Sequence, residues 1–462
     1  MLYRSVPHPL WAPGRLEAAA RLHGFAGLSS GPLRVLDIGC GSGGNALAIA
    51  ARHPEWHVVG FDIDEEAIAL GRRMAKEANI TGCDLRVADL LTIRAGDLPG
   101  GPFDVVMLHG MLSWLPEQAV TAAWDLASET LSATGLLAID YHALPGFRLR
   151  QIARDVLRGC TDPEAARERL RSVANANVTG GAYAATLAAE AERIGERDDS
   201  IMLYDELLAD VRGFALEDMV DMAGQRDLNF IGGASPGDWW AFHDPATIAA
   251  DADLPADRIE RAARADQIRG VAFHISLFGY GNSFSDIDAS RVGELYVERR
   301  SRPAGSSQAN ALNYRPVHEQ ALERIGKAHA PVRAREVDVQ PDRADDDGAT
   351  VILQLAADGA VALTTMPFVR AVPSDRPRVW ALARASLQEG EWAPTQLHDH
   401  VEVPDPMVRA LLIAMDGTRS IDELADLLRA WGSAHDRADD ATRAAGSLTA
   451  HVDQFAALGL ID

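Results

Sequence analysis

The stretch V-L-D-I-G-C-G-S-G-G at residues 35–44 limits the fold of this chain more than any other. A short apolar run carrying Asp37 is followed at once by glycines at 39, 41, 43 and 44. This is the pattern of a buried strand, a tight turn, and a helix whose first amides the turn leaves open. Gly39, Gly41 and Gly44 fit G-x-G-x-x-G, the spacing that serves a dinucleotide pyrophosphate. Gly39, Gly41 and Gly43 fit the tighter G-x-G-x-G, which suits a nucleoside ligand without phosphates that needs close backbone approach. The turn alone leaves both readings open.

Strand-like and helix-like segments alternate around this turn. Strands are expected over 33–38, 57–61, 84–87, 103–108 and 135–141, and helices over 13–24, 45–52, 65–78, 117–131 and 148–157. That alternation predicts a parallel sheet covered by helices on both faces. After residue 158 the rhythm turns helical. Residues 162–195 are rich in Ala, Glu and Arg, and 203–230 carry helical periodicity that Ile231-Gly232-Gly233 ends. Residues 270–280 have strand-forming content again and return the chain to the first sheet, which makes the middle unit an insertion. Residues 301–309 read as a linker and 341–348 as an acidic, turn-rich break. Ser420 and Glu423 read as the capping box of a helix in a small third domain. The expected organisation is an α/β domain at 1–158, a mostly helical unit at 159–270, the return at 271–300, and a C-terminal α+β accessory domain at 310–462.

Composition narrows the function. The 462 residues carry 44 Lys and Arg against 67 Asp and Glu, a net charge of −23, which opposes general affinity for nucleic acid. No apolar run reaches the ~18 residues of a membrane span, and the N-terminal residues lack the apolar core of a secretion signal. Cys40, Cys83 and Cys160 are odd in number and widely spaced, which predicts neither a disulfide framework nor a zinc site and fits a reducing cytoplasm.

Three acids decide the ligand. Asp37 ends the first strand two residues before Gly39, where its charge would oppose a pyrophosphate but suits the ammonium and sulfonium of S-adenosylmethionine (SAM). Asp62 ends the second strand and can take both ribose hydroxyls, a feature that NAD sites share. Asp89, with Leu90, follows the third strand, where an acid can accept from an adenine amino group. Taken singly, each acid reads as a helix cap or a solvated loop carboxylate; taken jointly, they favour SAM.

VLDIGCGSGG, GFDID and ADL together resemble the successive motifs of class I SAM-dependent methyltransferases. The resemblance implies a Rossmann-like seven-stranded sheet with a reversed final hairpin, and a cofactor pocket lined by Asp37, Gly39, Gly41, Asp62, Ile63, Asp89 and Leu90. FDVVMLHGMLSWLP at 103–116, DYHALPGF at 140–147, the opening YRSVPHP and the GSGGN turn resemble a narrower group, methyltransferases with a regulatory domain. That group includes bacterial protein-lysine methyltransferases acting on outer-membrane proteins. Its His-Gly-x-x-Ser-Trp-x-Pro run is intact here as His109, Gly110, Ser113, Trp114 and Pro116. Its Ser-Tyr-Asn-x-x-Pro-Gly-Trp run is altered: Asp140, His142 and Phe147 replace Ser, Asn and Trp, while Tyr141, Pro145 and Gly146 match. The resemblance is strong over 1–158 and thin beyond.

Methyl transfer is an in-line displacement that needs alignment and an uncharged nucleophile. Tyr141 and His142 are the candidates for orienting the acceptor, with Trp114 walling its pocket, while His109 and Gly110 are expected against the methionine part of SAM. Packing at a strand end is the rival role for Tyr141, His142 and Trp114, and capping or core packing for His109. The resemblance implies a protein or peptide nitrogen as acceptor, lysine first. The alternatives are a small-molecule N- or O-methyltransferase of natural-product type and a SAM-binding module without turnover. A homodimer is left open. No metal site is expected: His398-Asp399-His400 lacks a third ligand and reads as a surface loop, and Asp345–Asp347 lacks calcium-loop spacing. Trp239-Trp240 reads as a staple between domains.

Overall fold

The computed structural model describes residues 3, 5–176, 180–207, 210–235, 255–281, 284–300, 314–327, 331–342 and 347–462. Trp239-Trp240 and the linker at 301–309 lie outside them.

The glycine turn sits in the middle of one mixed sheet. Its strands are β1 (Arg34–Ile38), β2 (His57–Asp62), β3 (Cys83–Val87), β4 (Phe103–Leu108), β5 (Leu131–Ala143), β6 (Gly213–Phe214), β7 (Asn229–Gly233) and β8 (His274–Gly279). The order is β3-β2-β1-β4-β5-β8-β7, with β6 paired to the end of β5. All neighbours are parallel except β8, which runs antiparallel to both β5 and β7. This is the reversed final hairpin of the class I methyltransferase sheet.

Alternation along each strand divides its side chains between two cores, because successive residues point to opposite faces. Val35, Val58, Val105, Met107 and Ala138 face one side, packed with α1 (Pro13–Leu22), α2 (Gly44–Arg52) and α3 (Glu65–Glu77). Leu36, Ile38, Val59, Phe61, Val106, Leu108, Ile139 and Tyr141 face the other, packed with α4 (Glu117–Thr130) and the helices at 216–224 and 258–269. The first core continues without a break through Leu353, Leu382, Leu411 and Leu424 to Ile461. Both faces are dry, so the strands read as apolar runs, as the sequence shows.

The helical insertion is narrower than expected. Helices α5 (Phe147–Leu157), α6 (Pro163–Ala176) and α7 (Gly181–Gly195) share a separate small core around Ala153, Leu157, Ala166, Leu170, Leu187 and Met202. From residue 213 the chain is back at the sheet. The expected helical stretch 203–230 instead holds a π-helical turn at Met202–Glu206, strand β6, a helix at Leu216–Gly224 and the start of β7. Ile231-Gly232-Gly233, expected to end the helical stretch, belongs to that strand. Its glycine is there for space: a Cβ on Gly232 would lie 2.1 Å from His23 Nε2, and the β7–β8 register slips between Phe230 and Gly232. Glycine in a strand marks such a bulge and close approach.

Beyond the sheet, β9 (Tyr296–Arg299), β10 (Val332–Arg333) and β11 (Val361–Thr364) form a small antiparallel sheet flanked by helices at 316–327 and 348–357. Asp347, in the acidic, turn-rich break expected at 341–348, caps the second of these helices by accepting from the Thr350 amide; residues 345 and 346 are outside the described set. The last 80-odd residues are helical around one hairpin, β12 (Trp392–Thr395) with β13 (Asp399–Glu402). Ser420 and Glu423 make the reciprocal cap of the helix at 421–434, at 3.2 and 2.7 Å.

Candidate functional site

Two of the acids expected at the strand ends, Asp37 and Asp62, meet at the glycine turn. Gly39, Gly41 and Gly43 all have positive φ, and a Cβ on Gly39 would meet Met111 Sδ at 2.5 Å, so the first position admits no side chain. The turn's amides are already committed. Gly39 and Cys40 donate to the Phe61 carbonyl at 2.9 and 3.0 Å. Gly41 donates to Asp62 Oδ2 at 2.8 Å, and Gly44, at the N-terminus of α2, to Ser5 Oγ at 3.0 Å. Ser5 Oγ in turn donates to the Cys40 carbonyl. The N-terminal segment thus lies over the helix N-terminus that a pyrophosphate would need, which argues against the dinucleotide reading.

Asp37 is 2% exposed and accepts from the Ala46 amide. Burial first, then the charge of Asp62, pushes its carboxyl up to about 7. Asp62 Oδ1 accepts from the Asp64 amide at 2.9 Å, so each oxygen of this carboxylate holds one backbone donor and keeps a lone pair. Ile63 is 69% exposed beside it, and Val87, paired with Asp62 across the β2–β3 register, is also exposed. Asp89 accepts from the Leu91 amide through Oδ1, and Leu90 packs half-buried on the core. Exposed apolar Ile63 and Val87 beside an acid form a shelf suited to a flat ring.

At the end of β4, His109 Nδ1 lies 2.9 Å from Asn45 Nδ2, and its ring packs on Trp11. Burial holds the imidazole neutral, pushed down to about 3. The Gly110 amide donates to Asp140 Oδ1 at 2.7 Å, and Asp140 Oδ2 stands 3.7 Å from His109 Nε2. Asp140 is 1% exposed, burial raises its carboxyl well above the ordinary range, and its Oδ2 has no hydrogen-bond partner among the described residues. Asp140 and Asn45 are site residues the sequence analysis assigned no role. A fourth acid at a fourth strand end was the available signal.

The acceptor candidates separate. Asp140 and His142 point to one face of β5 and Tyr141 to the other. Tyr141 is 1% exposed, its hydroxyl 3.0 Å from Ser276 Oγ and its ring stacked near His274, so it belongs to the core rather than to an open wall. His142 stacks flat on Phe147 at 4.0 Å, with Trp114 at 4.9 Å and Phe273 at 6.0 Å. Its backbone amide donates to Ser113 Oγ at 2.8 Å, while its Nδ1 and the Trp114 indole nitrogen are buried without a described partner. Burial, reinforced by Arg150 and Arg154, pushes the His142 ring down to about 3. Arg150 lies one turn after Phe147 on α5 and makes no hydrogen bond or ion pair to a described residue. Nearby Arg193 and Arg197 are held by Glu190, Asp205 and Glu206.

The surface-loop reading of His398 is overturned. His398 is 5% exposed and its Nε2 is 3.0 Å from Asn45 Oδ1; His400 Nδ1 lies 3.1 Å from the Pro7 carbonyl. The hairpin turns inward because Arg52 on α2 donates to the Gln396 and Pro367 carbonyls. Among the described residues no group of three His, Cys, Asp or Glu side chains is placed to hold a metal ion, and no helix is long and apolar enough to cross a membrane.

Comparison with known proteins places this geometry. A model of the methyltransferase domain matches residues 35–135, and one of the PKMT C-terminal winged helix domain matches 375–445. An uncharacterised protein of Rickettsia prowazekii is 23% identical over 238 residues, half of this chain and 42% of its own length. A second from the same organism is 27% identical over 160 residues, 34% of this chain and 63% of its own. The trans-aconitate 2-methyltransferase of Methylobacterium nodulans is 30% identical over 129 residues, 28% of this chain and 45% of that one. The chain thus spans less than two thirds of the curated relatives it matches. Among solved structures, PKMT2 from Rickettsia typhi superposes with a TM-score of 0.82 at 19% identity over 99% of both chains, and its complex with AdoHcy does so at 20%. The chain carries a SAM-dependent methyltransferase domain joined to the winged helix domain of the PKMT kind.

Proposed function

We propose that the chain moves the methyl group of SAM to a nitrogen of a protein or peptide, lysine first. The observation that carries this reading is the shared fold, end to end, with PKMT2 of Rickettsia typhi, winged helix domain included. The residues present fit the cofactor: a glycine cradle that a Cβ would fill, three acids around it, and an orphaned buried carboxyl oxygen at its far end. When bound, SAM supplies a methyl group already activated by the sulfonium.

Asp62 takes the two ribose hydroxyls on the lone pairs its backbone donors leave. Ile63 and Leu90 hold the adenine between them, and Asp89 accepts from its amino group. Asp37 balances the positive methionine end, while Gly39, Gly41, His109 and Gly110 allow that end close to the backbone. His142 accepts a hydrogen bond from the acceptor amine at Nδ1. Held neutral to about 3, it orients the amine but is too weak a base to take a proton from lysine, whose ordinary value is about 10.4. Trp114, with Phe147 and Phe273, supplies an aromatic wall that favours a methylammonium product. Tyr141 acts from the core, fixing the end of β5 through Ser276.

One observation favours the small-molecule reading. Arg150, near His142 and without an ion pair among the described residues, would hold a carboxylate, and three relatives are named as trans-aconitate 2-methyltransferases. Incubation with isotope-labelled SAM and cell extract separates the two. Label in protein supports the first; label only in the small-molecule fraction refutes it. The three free cysteines support a cytoplasmic setting. A soluble partner chain or a second copy is part of the same proposal.

A further inference from the structure

Asn45 is the second residue of α2 and sits where three segments of the chain meet. Its Oδ1 accepts from the His8 amide at 3.0 Å, and a backbone N–H is always a donor. That contact settles which end of the side-chain amide is oxygen. Two assignments follow. His398 Nε2, 3.0 Å from the same oxygen, carries a proton. Asn45 Nδ2, a donor only, faces His109 Nδ1 at 2.9 Å, so that nitrogen is bare and the neutral His109 ring carries its proton on Nε2. His109 Nε2 faces the Asp140 carboxyl oxygen that lacks a described partner.

His398 reaches this point at a cost. Its φ is +55°, left-handed backbone that a β-hairpin could give to glycine, and its ring is buried among α2, the N-terminal segment and His109. Strained, non-glycine backbone persists where the surroundings hold it. Arg52 clamps the turn at the Gln396 carbonyl, 2.6 Å away.

We propose that His398, carried by the winged helix domain, is a positioning residue of the cofactor site: through Asn45 it sets the His109 ring with its Nε2 proton aimed at Asp140. The proposal rests on the reading above that His109 lies against the methionine end of the cofactor. It makes the C-terminal domain part of the catalytic unit rather than an appended module.

Nitrogen-15 spectra of the full chain report the His109 tautomer, assigned by its loss in His109→Gln, and calorimetry with AdoHcy reports affinity. Wild type is expected as the Nε2–H form. Asn45→Asp keeps the size and both incoming donors but cannot donate to His109, so the ring is expected to move its proton to Nδ1. His398→Phe keeps the ring but loses the donor and is expected to weaken AdoHcy about fivefold, the value of one neutral hydrogen bond. His398→Gln restores a donor and is expected to recover most of that loss. A wild-type Nδ1–H ring, an unchanged tautomer in Asn45→Asp, or wild-type affinity in His398→Phe overturns the proposal. A wild-type chain that does not bind AdoHcy overturns the cofactor reading instead, and the tautomer result still decides the relay.

Discussion

Replacing Asp62 tests the cofactor reading most directly. In the free protein each of its oxygens already accepts one backbone amide, from Gly41 and from Asp64. The ribose hydroxyls would add two more bonds to a charged acceptor. Such bonds contribute about 1.5–3 kcal/mol each, and burial under the bound nucleoside places them in that range rather than below it. Asp62→Ala should therefore lose about 3–6 kcal/mol of cofactor affinity, on the order of 10²- to 10⁴-fold. The turn adds to that loss, since the Gly41 amide also loses its anchor. A double-mutant cycle removes this part: AdoHcy and its 2′-deoxy analogue are titrated into wild type and variant, with circular dichroism to show that the variant is folded. The wild type should discriminate against the deoxy analogue by about 1.5–3 kcal/mol, and the variant hardly at all. Equal discrimination by both proteins would refute the ribose assignment, whatever the absolute affinities.

Four further outcomes are expected. Asp37, raised to about 7 by burial, is largely protonated below that pH, whereas in the unfolded chain it ionises near 4. It therefore contributes stability below about pH 4 that is lost as pH rises toward 7, and Asp37→Asn should flatten that part of the melting-temperature profile. A cationic cofactor end pulls the same carboxyl down, so binding should release a proton at pH 6 but not at pH 8, read by calorimetry in buffers of different ionisation enthalpy; equal release at both would sink the assignment. His142→Phe keeps the stack on Phe147 but removes Nδ1, so methyl transfer should fall about a hundredfold with AdoHcy affinity unchanged, and equal turnover would remove His142 from the acceptor site. Gly232→Ala would drive a methyl group to 2.1 Å from His23 Nε2, and should cost about 2–3 kcal/mol of stability in denaturant melts.

What the sequence discloses, and what it hides, follows from the range of the forces involved. The strand around Asp37, the glycine turn and the first helix were legible because each is a local pattern, and the sheet followed from their alternation. The capping box at Ser420 was legible for the same reason. Strand β7 was not: its Gly232 makes room for His23, a residue about two hundred positions earlier, and such a need leaves no local mark. Asp62 and Asp37 could be found because they end strands. Asn45 could not, since an asparagine after a glycine turn reads as a helix cap until His8, His109 and His398 are seen around it. His398 read as surface because a histidine among polar neighbours usually is; a single arginine, Arg52, turns it inward.

The apolar core that runs from Val35 beneath the glycine turn to Ile461 near the C-terminus has a thermodynamic corollary. The boundary drawn at residue 375 by homology crosses the chain in an exposed stretch, but the side chains before and after it share one core. Heat should therefore melt the catalytic sheet and the winged helix in one shared transition, and cutting the chain at that boundary would bare greasy surface on both halves. A change of side-chain volume on one side of that seam then has to be matched on the other.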